Sequence, residues 1–409
     1  MPDSTLSSQH TPAFAFPPQR SAALSRCDRV DPDAYAATRN HLHGAVSGLS
    51  PYVTHGLVTV GEVLARVGMR RRLGWQDKFA FELGWREYFH HVWRLLGDGV
   101  WRTRRPLPAP TAAYRPTMPL DVLTASTGVP VIDTAVHQLY ASGYLHNHQR
   151  MWLASYLVHL RKVDWRTAAP WMYAHLLDGD LASNTLSWQW VAGSWTGRPY
   201  LFNAGNVARH SERGWPGASN AGTIIDRPYP ALARFATAAI DVGQEVHAPR
   251  SGVAAEPPVY TLPPPDVTRS QVLAPNPLIL ASARALIHPW HMHVENARPD
   301  QTVGLLITDF HAAYPWSARR WRWVLSAMGG AAHQILIGTA GQMVAAISAA
   351  VTQHSARPQT VATLNPFYRQ VLERVPDCGP PPRAFPDPPC LHASFSSFWN
   401  DISKGPFPL

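Results

Sequence analysis

The spacing of apolar residues changes period along this chain, and that change limits the folds open to it more than any other feature. Over residues 31–215 the repeat is helical. Phe79, Leu83, Phe89, Trp93 and Leu96 recur at helical spacing over 77–96, and 131–144 and 150–160 repeat the pattern. No alternating strand pattern interrupts them. Residues 216–277 are punctuated by prolines, with room for a short helix near 231–240, and read as an extended linker. Beyond them, apolar runs at 284–287, 303–308 (VGLLIT), 333–338 (HQILIG) and 360–364 (TVATL) alternate with helical stretches at 317–328, 341–353 and 367–374. That alternation is the mark of βαβ units and a parallel sheet. The expected fold is mainly α: an all-helical domain over 31–215, a Pro-rich linker over 216–277, and a small doubly wound α/β domain over 278–409. Residues 1–30, rich in Pro, Ser and Gln, are expected to form a poorly ordered arm.

A chain of 409 residues allows two or three domains. It has no apolar run long enough to span a bilayer and no basic-then-apolar start, so no membrane partner and a cytoplasmic location are expected. Its three cysteines, Cys27, Cys378 and Cys390, are too few and too far apart for a disulfide framework or a four-thiolate metal site. Lys and Arg exceed Asp and Glu by 36 − 27 = 9. That excess, mostly arginine, suits phosphate contacts, but a coding bias toward Arg and Pro explains it equally well.

Four stretches carry groups suited to chemistry. In 178–190 (DGDLASNTLSWQW), Asp178 and Asp180 flank a turn that leads into a helix on which Asn184 and Trp188 share a face. In 46–56 (VSGLSPYVTHG), Ser50 precedes Pro51, which suits a helix start with Ser as the cap. With Ser47 close by, such a start can cradle phosphate, although serines that merely cap are commoner. Thr59 and Glu62 have capping-box spacing. In 82–91 (ELGWREYFHH), Glu82, Trp85 and Arg86 fall on adjacent helical positions. This is either an ordinary surface ion pair or a face able to receive a base or a flat cofactor. In 144–152 (YLHNHQRMW), His146 and His148 splay apart at i, i+2 and no second cluster adds ligands, so no metal is expected. Trp165, in DWRTAAPW, and Trp188 are indoles that can pass single electrons to an excited chromophore, although core packing accounts for most such residues.

The segments VSGLSPY, ELGWREY, TGVPVIDTAV, YLHNHQRMWLASYLV, DWR and DGDLASNTLSWQW stand in the order in which the photolyase/cryptochrome family carries them. Together, from about Tyr35 to Asn206, they resemble that family's helical FAD-binding domain. The resemblance implies a U-shaped FAD, with Tyr35, Ser47, Gly48, Leu49 and Ser50 at its phosphates and ribityl chain and Val46 beside them. It implies that Arg86, Asn147 and Arg150 line the cavity, that Asp178 pairs with Arg150, and that Asp180 meets the ribityl or adenosine side. Asn184 would face the flavin nitrogen that takes up a proton on reduction, where an amide can donate or accept without titrating. Trp188 and Trp165 match the first two members of a photoreduction chain. Glu82, Trp85, Asn147, Met151 and Trp190 match positions that contact a cyclobutane pyrimidine dimer.

The chain departs from the family in several places. Gly48 stands where the family has Arg, His148 replaces a basic residue, and no Trp lies between Arg102 and Thr127 to complete the electron chain. The family begins with an α/β domain. Here VGLLITDF, SARRWRWVLSAM and HQILIG, in the C-terminal half, resemble its start, and FSSFWNDI resembles the segment that leaves it. The resemblance therefore implies two domains in swapped order. It further implies light-driven electron transfer from FAD to a pyrimidine dimer in UV-damaged DNA, with Asn184, Glu82, Trp188 and Trp165 as the catalytic set. The alternatives are a cryptochrome-like photoreceptor and an FAD protein without repair activity. A second, antenna chromophore is left open.

Overall fold

Residues 15–242, 252–267 and 272–408 are described by a computed structural model. Helices α1 (Arg20–Arg29), α2 (Pro32–Thr38), α3 (Ser50–Thr54), α4 (Val60–Gly68) and the long α5 (Lys78–Leu96) come first. They are followed by α6 (Leu120–Leu123), α7 (Pro130–Ser142), α8 (Asn147–Ser155), α9 (Trp165–His175), α10 (Leu181–Ala192), α11 (Ala204–His210) and α12 (Tyr229–Thr237). Next come β1 (Val259–Tyr260), β2 (Val272–Leu273), α13 (Pro277–Ser282), β3 (Ala285–Ile287), β4 (Thr302–Ile307) and α14 (Thr308–Ala313). The chain continues through β5 (Trp316–Ser317), α15 (Ala318–Ala331), β6 (Gln334–Gly338), α16 (Ala340–His354), α17 (Tyr368–Leu372) and α18 (Phe395–Ile402).

Local chemistry sets many of these boundaries. Thr59 and Glu62 close the capping box on α4, satisfying two backbone donors that a helix start leaves open. Strands β2, β6, β4 and β3 form, in that order, a parallel sheet. Central β4 is buried at every position, which is why its sequence is a continuous apolar run. The helical stretch over 150–160 widens into a π turn at Tyr156–Leu160, where Lys162 Nζ donates to the His159 carbonyl at 2.8 Å. Among the described residues no helix is long and apolar enough to cross a membrane.

Three expectations are corrected. From residue 15 onward the N-terminal arm is ordered, whereas 1–14 lie outside the described residues. Helix α1 buries Ala23 and Cys27, Arg66 forks onto Asp28 at 2.6 and 2.8 Å, and Arg70 donates to the carbonyls of Cys27 and Val30. Those partners lie some 40 positions away, beyond the reach of local composition. The stretch 216–277 is more than a linker. Asn220, Ile224 and Ile225 are buried, Lys162 Nζ ties down the C-terminal turn of α12 through the Phe235 and Ala236 carbonyls, and β2 joins the sheet. The TVATL run builds no ladder, because only Gln359, beside β3, and Val361 form isolated bridges.

One hydrophobic core joins α1 and α3–α5 to the sheet and α15, and a second fills the space around α7–α9. Helix α10 belongs to both, with Leu181, Ala182 and Leu186 in the first and Trp188, Val191 and Ala192 in the second. A helix enclosed in this way is apolar around most of its circumference.

The C-terminal α18 packs on α5 at Gly84, where an added Cβ would overlap the Trp399 ring. That ring is wedged against Trp75 (5.1 Å between centroids) and Phe385 (5.2 Å), so it cannot yield. Gly84→Ala gains about 1 kcal/mol of helix propensity, but overpacking costs about 1–3 kcal/mol. A net loss of stability is expected, read as a lower midpoint in urea unfolding. An unchanged or raised midpoint would contradict the tight seat of Trp399.

Candidate functional site

The Asp178-Gly179-Asp180 turn collects charge from three directions. Arg150, on α8, donates from Nη2 to Asp178 Oδ2 at 2.7 Å, the pairing that the resemblance implies. Arg150 Nε is held by the Leu145 carbonyl at 2.9 Å, which turns the guanidinium inward. Asp178 Oδ1 is buried and has no hydrogen-bond partner. Arg320, on α15, donates to the carbonyls of Tyr173 (2.9 Å) and Gly179 (2.6 Å) while lying between the Tyr173 and Trp316 rings. It comes so close that any side chain at position 179 would overlap Nη1.

Asp180 caps α10, accepting from Ser183 N at 2.9 Å and Ser183 Oγ at 2.6 Å. His90 Nε2 stands 3.0 Å from Oδ1, and Arg86 Nη1 3.4 Å from Oδ2. Burial works against the Asp180 charge, but Arg86 first, and then His90 and Ser183, hold its carboxyl well below the usual carboxylate range. Sequence reasoning overlooked both His90 and Arg320. His90 is four residues beyond Arg86 on the same face of α5, a signal that was available. Arg320 comes from the other half of the chain, and no local pattern marks it.

Glu82, Trp85 and Arg86 do not share one face. Arg86 reaches the turn and Thr54 Oγ1 (3.3 Å), and Glu82 pairs with Arg39 (3.0 Å) and Lys78 (3.2 Å). Trp85 stacks on Phe395 of α18 with centroids 4.1 Å apart and planes inclined by 20°. Adjacent residues on a helix diverge by about 100°, enough to send the indole and the guanidinium to different surroundings. Tyr35 lies near Glu82, its ring edge-on to Phe79; burial first, and then Glu82, push its hydroxyl pKa up.

The serine segment differs from expectation. Leu49, not a serine, occupies the cap of α3, because Pro51 sits at the second helical position rather than the first. Ser50 is exposed, and Ser47 Oγ accepts a 3.4 Å contact from Leu49 N. Gly48 has φ +60°, a conformation that favours glycine. Val46 lines a cavity of about 480 Å³ together with Tyr144, His146, Gln149, Glu212 and Trp215.

Asn184 Nδ2 donates to the Ala169 carbonyl at 2.9 Å, which leaves the side-chain oxygen without a donor among the described residues. Trp188 and Trp165 are buried in the same core on the packed pair α10 and α9, with Trp165 Nε1 on Thr103 Oγ1 at 3.1 Å. Trp190 is half-buried beside Tyr200. Asn147 is exposed, donating to Met151 Sδ at 3.3 Å, whereas Arg150, three residues on, turns inward. The structure therefore joins Arg86, Arg150, Asp178 and Asp180 around one turn. It sets Trp85 apart, beneath α18.

Residues 79–256 match the family profile of the FAD binding domain of DNA photolyase. This segment is thus similar to the FAD-binding domain of the photolyase/cryptochrome family. The photolyase match takes in α5, α8, α9 and the turn before α10, and begins after Tyr35 and the serine segment. A deoxyribodipyrimidine photo-lyase of Streptomyces griseus is 37% identical over 156 residues, covering 37% of this chain and 33% of that protein. One of a Synechococcus strain is 32% identical over 197 residues, covering 44% of this chain and 40% of that protein. The chain thus matches well under half the length of these photolyases. A crystal structure of a bacterial class III photolyase from Agrobacterium tumefaciens overlaps 54% of this chain and 50% of its own at 24% identity, with a TM-score of 0.42. That overlap is too slight to bear on how the two halves are arranged.

The residues present suit FAD, the group that the matching profile names. A buried carboxylate oxygen without a partner at Asp178 matches a hydroxyl donor, as on a ribityl chain, and the Tyr52 hydroxyl is likewise buried without a partner. Arg150 and Arg86 stand beside the same turn.

Proposed function

We infer that this protein is a light-absorbing flavoprotein of photolyase type, with FAD seated over the 178–180 turn. The observation that carries the reading is the turn itself: Arg150 fixed by Asp178, Arg86 and His90 fixed by Asp180, and the Asp178 Oδ1 atom left over, all within the segment matching a photolyase FAD domain. Bound and reduced, FAD supplies an electron on excitation by blue light, which can split a cyclobutane pyrimidine dimer. The chain's own groups prepare for this. Asp178 orients Arg150, Asp180 orients Arg86, and Asn184, its amide nitrogen held by the Ala169 carbonyl, would offer its side-chain oxygen to the flavin. Trp188 and Trp165 lie in one dry core as electron donors. Asn147 and Met151 form an exposed amide–thioether pair suited to a damaged base on DNA, and a net charge of +9 favours the DNA backbone. In this reading the sheet and its helices correspond to the family's α/β domain, placed C-terminally.

A second reading, a photoreceptor or FAD protein without repair, is favoured by the Trp85 stack, because Phe395 already covers one face of the indole. Illuminating the reduced protein with a dimer-containing oligonucleotide decides between them. Restoration of the thymine absorbance is expected for repair, and none under saturating light would eliminate it. Trp188→Phe is expected to slow photoreduction of bound FAD sharply while leaving the amount bound unchanged. An unchanged rate would remove Trp188 from the electron path.

A further inference from the structure

Arg26, on α1, directs its guanidinium at the backbone of Gly48. A Cβ at Gly48 would stand 2.5 Å from Arg26 Nη1. The guanidinium lies over the Phe16 ring, 4.7 Å from its centroid, and 5.9 Å from that of Tyr52. Its Nη2 donates to the Ala15 carbonyl at 2.9 Å. Among the described residues no carboxylate lies within ion-pairing distance, whereas Arg20 on the same helix has Glu62 and the neighbouring Arg66 has Asp28. Most of this cation's hydrogen-bonding capacity is therefore unspent.

The surroundings point the same way. Tyr52 is fully buried, and the Arg26 guanidinium is near enough to interact with its hydroxyl, but no well-formed hydrogen bond completes it. A buried hydroxyl without a partner costs free energy unless a ligand completes it. Ser47 and Ser50 flank Gly48 with hydroxyls that make little use of the protein. A cation held by two rings, an unsatisfied phenol and two serine hydroxyls around a backbone bare of Cβ form a site for an anion with several oxygens. A guanidinium suits such an anion because its donors fork across two oxygens at once.

We propose that Arg26 is the residue that binds the pyrophosphate of FAD in this chain. This rests on the flavoprotein reading above and adds a residue outside both the matched segment and the motifs that carry the resemblance. Position 48, where the resemblance expects an arginine, holds glycine. The charge is delivered instead from α1, into the room that the missing side chain leaves.

The test compares FAD with riboflavin, which lacks the phosphates, by quenching of flavin fluorescence on binding to the full chain. Arg26→Ala is expected to weaken FAD binding by about 10- to 100-fold and riboflavin binding by less than about 2-fold, since its binding needs no phosphate contact. The dependence of FAD affinity on salt should flatten in the variant, because a screened charge pair has been removed. Arg26→Lys, which keeps the charge and most of the packing, should recover part of the loss, and Arg26→Gln should not. Equal losses for FAD and riboflavin, or rescue by Gln as complete as by Lys, would make Arg26 a packing residue and overturn the proposal. So would an FAD affinity unchanged in Arg26→Ala. A wild-type chain that takes up no FAD would instead overturn the flavoprotein reading, and the Arg26 assignment with it.

Discussion

Asp180→Ala is expected to lower the folding free energy by about 3–5 kcal/mol, the cost typical of removing one member of a buried charge pair. Three losses combine. The α10 start loses its cap from Asp180 to Ser183, Arg86 loses its carboxylate, and His90 loses the group that orients it. Asp180→Asn separates the contributions. Asparagine is a good cap, so helix initiation should survive while the charge does not. The Asp180 carboxyl titrates lower in the folded protein than its ordinary value of 3.8. Below that ordinary value the unfolded chain binds the proton first, so this contribution is present in full above pH 3.8 and is lost as the pH falls toward the folded value. Urea unfolding of wild type and Asp180→Asn between pH 6 and about pH 3 measures it. The wild type should lose more stability than the variant toward the acid end. Parallel curves would show that Arg86 and His90 do not hold this charge.

Arg320→Ala is expected to cost about as much, roughly 3–5 kcal/mol, through the cavity left between Tyr173 and Trp316 and two carbonyls deprived of their donor. Arg320→Met is the informative companion, because it refills the space and restores only packing. If the guanidinium works by gripping the Tyr173 and Gly179 carbonyls, Met should recover part of the stability but little of the FAD affinity, since the turn that carries Asp178 would lose its outer support. Full recovery of both by Met would show that Arg320 acts by filling volume. Thermal unfolding and FAD titration on the same preparations give the two readouts.

What could be read in advance follows the range of the forces involved. The Thr59–Glu62 box is a contact between residues three apart and was legible. Strand β4 was legible because burial on both faces writes itself as an unbroken apolar run. The order of the motifs brought out Arg150, Asp178 and Asp180, which the fold does bring to one turn. Contacts between distant stretches were not legible. Helix α1 looks like a polar arm until α4 supplies Arg66 and the turn after it Arg70. Strand β2 is two residues in a proline-rich stretch and gains its identity from β6. Trp85 looked free to meet a base, and only the folded chain lays Phe395 across it. The run 360–364 has the composition of a strand but finds no neighbour to pair with along its length.

The position of α10 across both cores has a consequence for how the protein comes apart. Its first half shares packing with the sheet and its second half with α7–α9, so neither core can open without disturbing the segment between Asp180 and Ala192. The amides of that helix belong to the last units to exchange with solvent. The two halves of the chain then melt as one cooperative body, in which the helix carrying Asn184 and Trp188 is the shared keel.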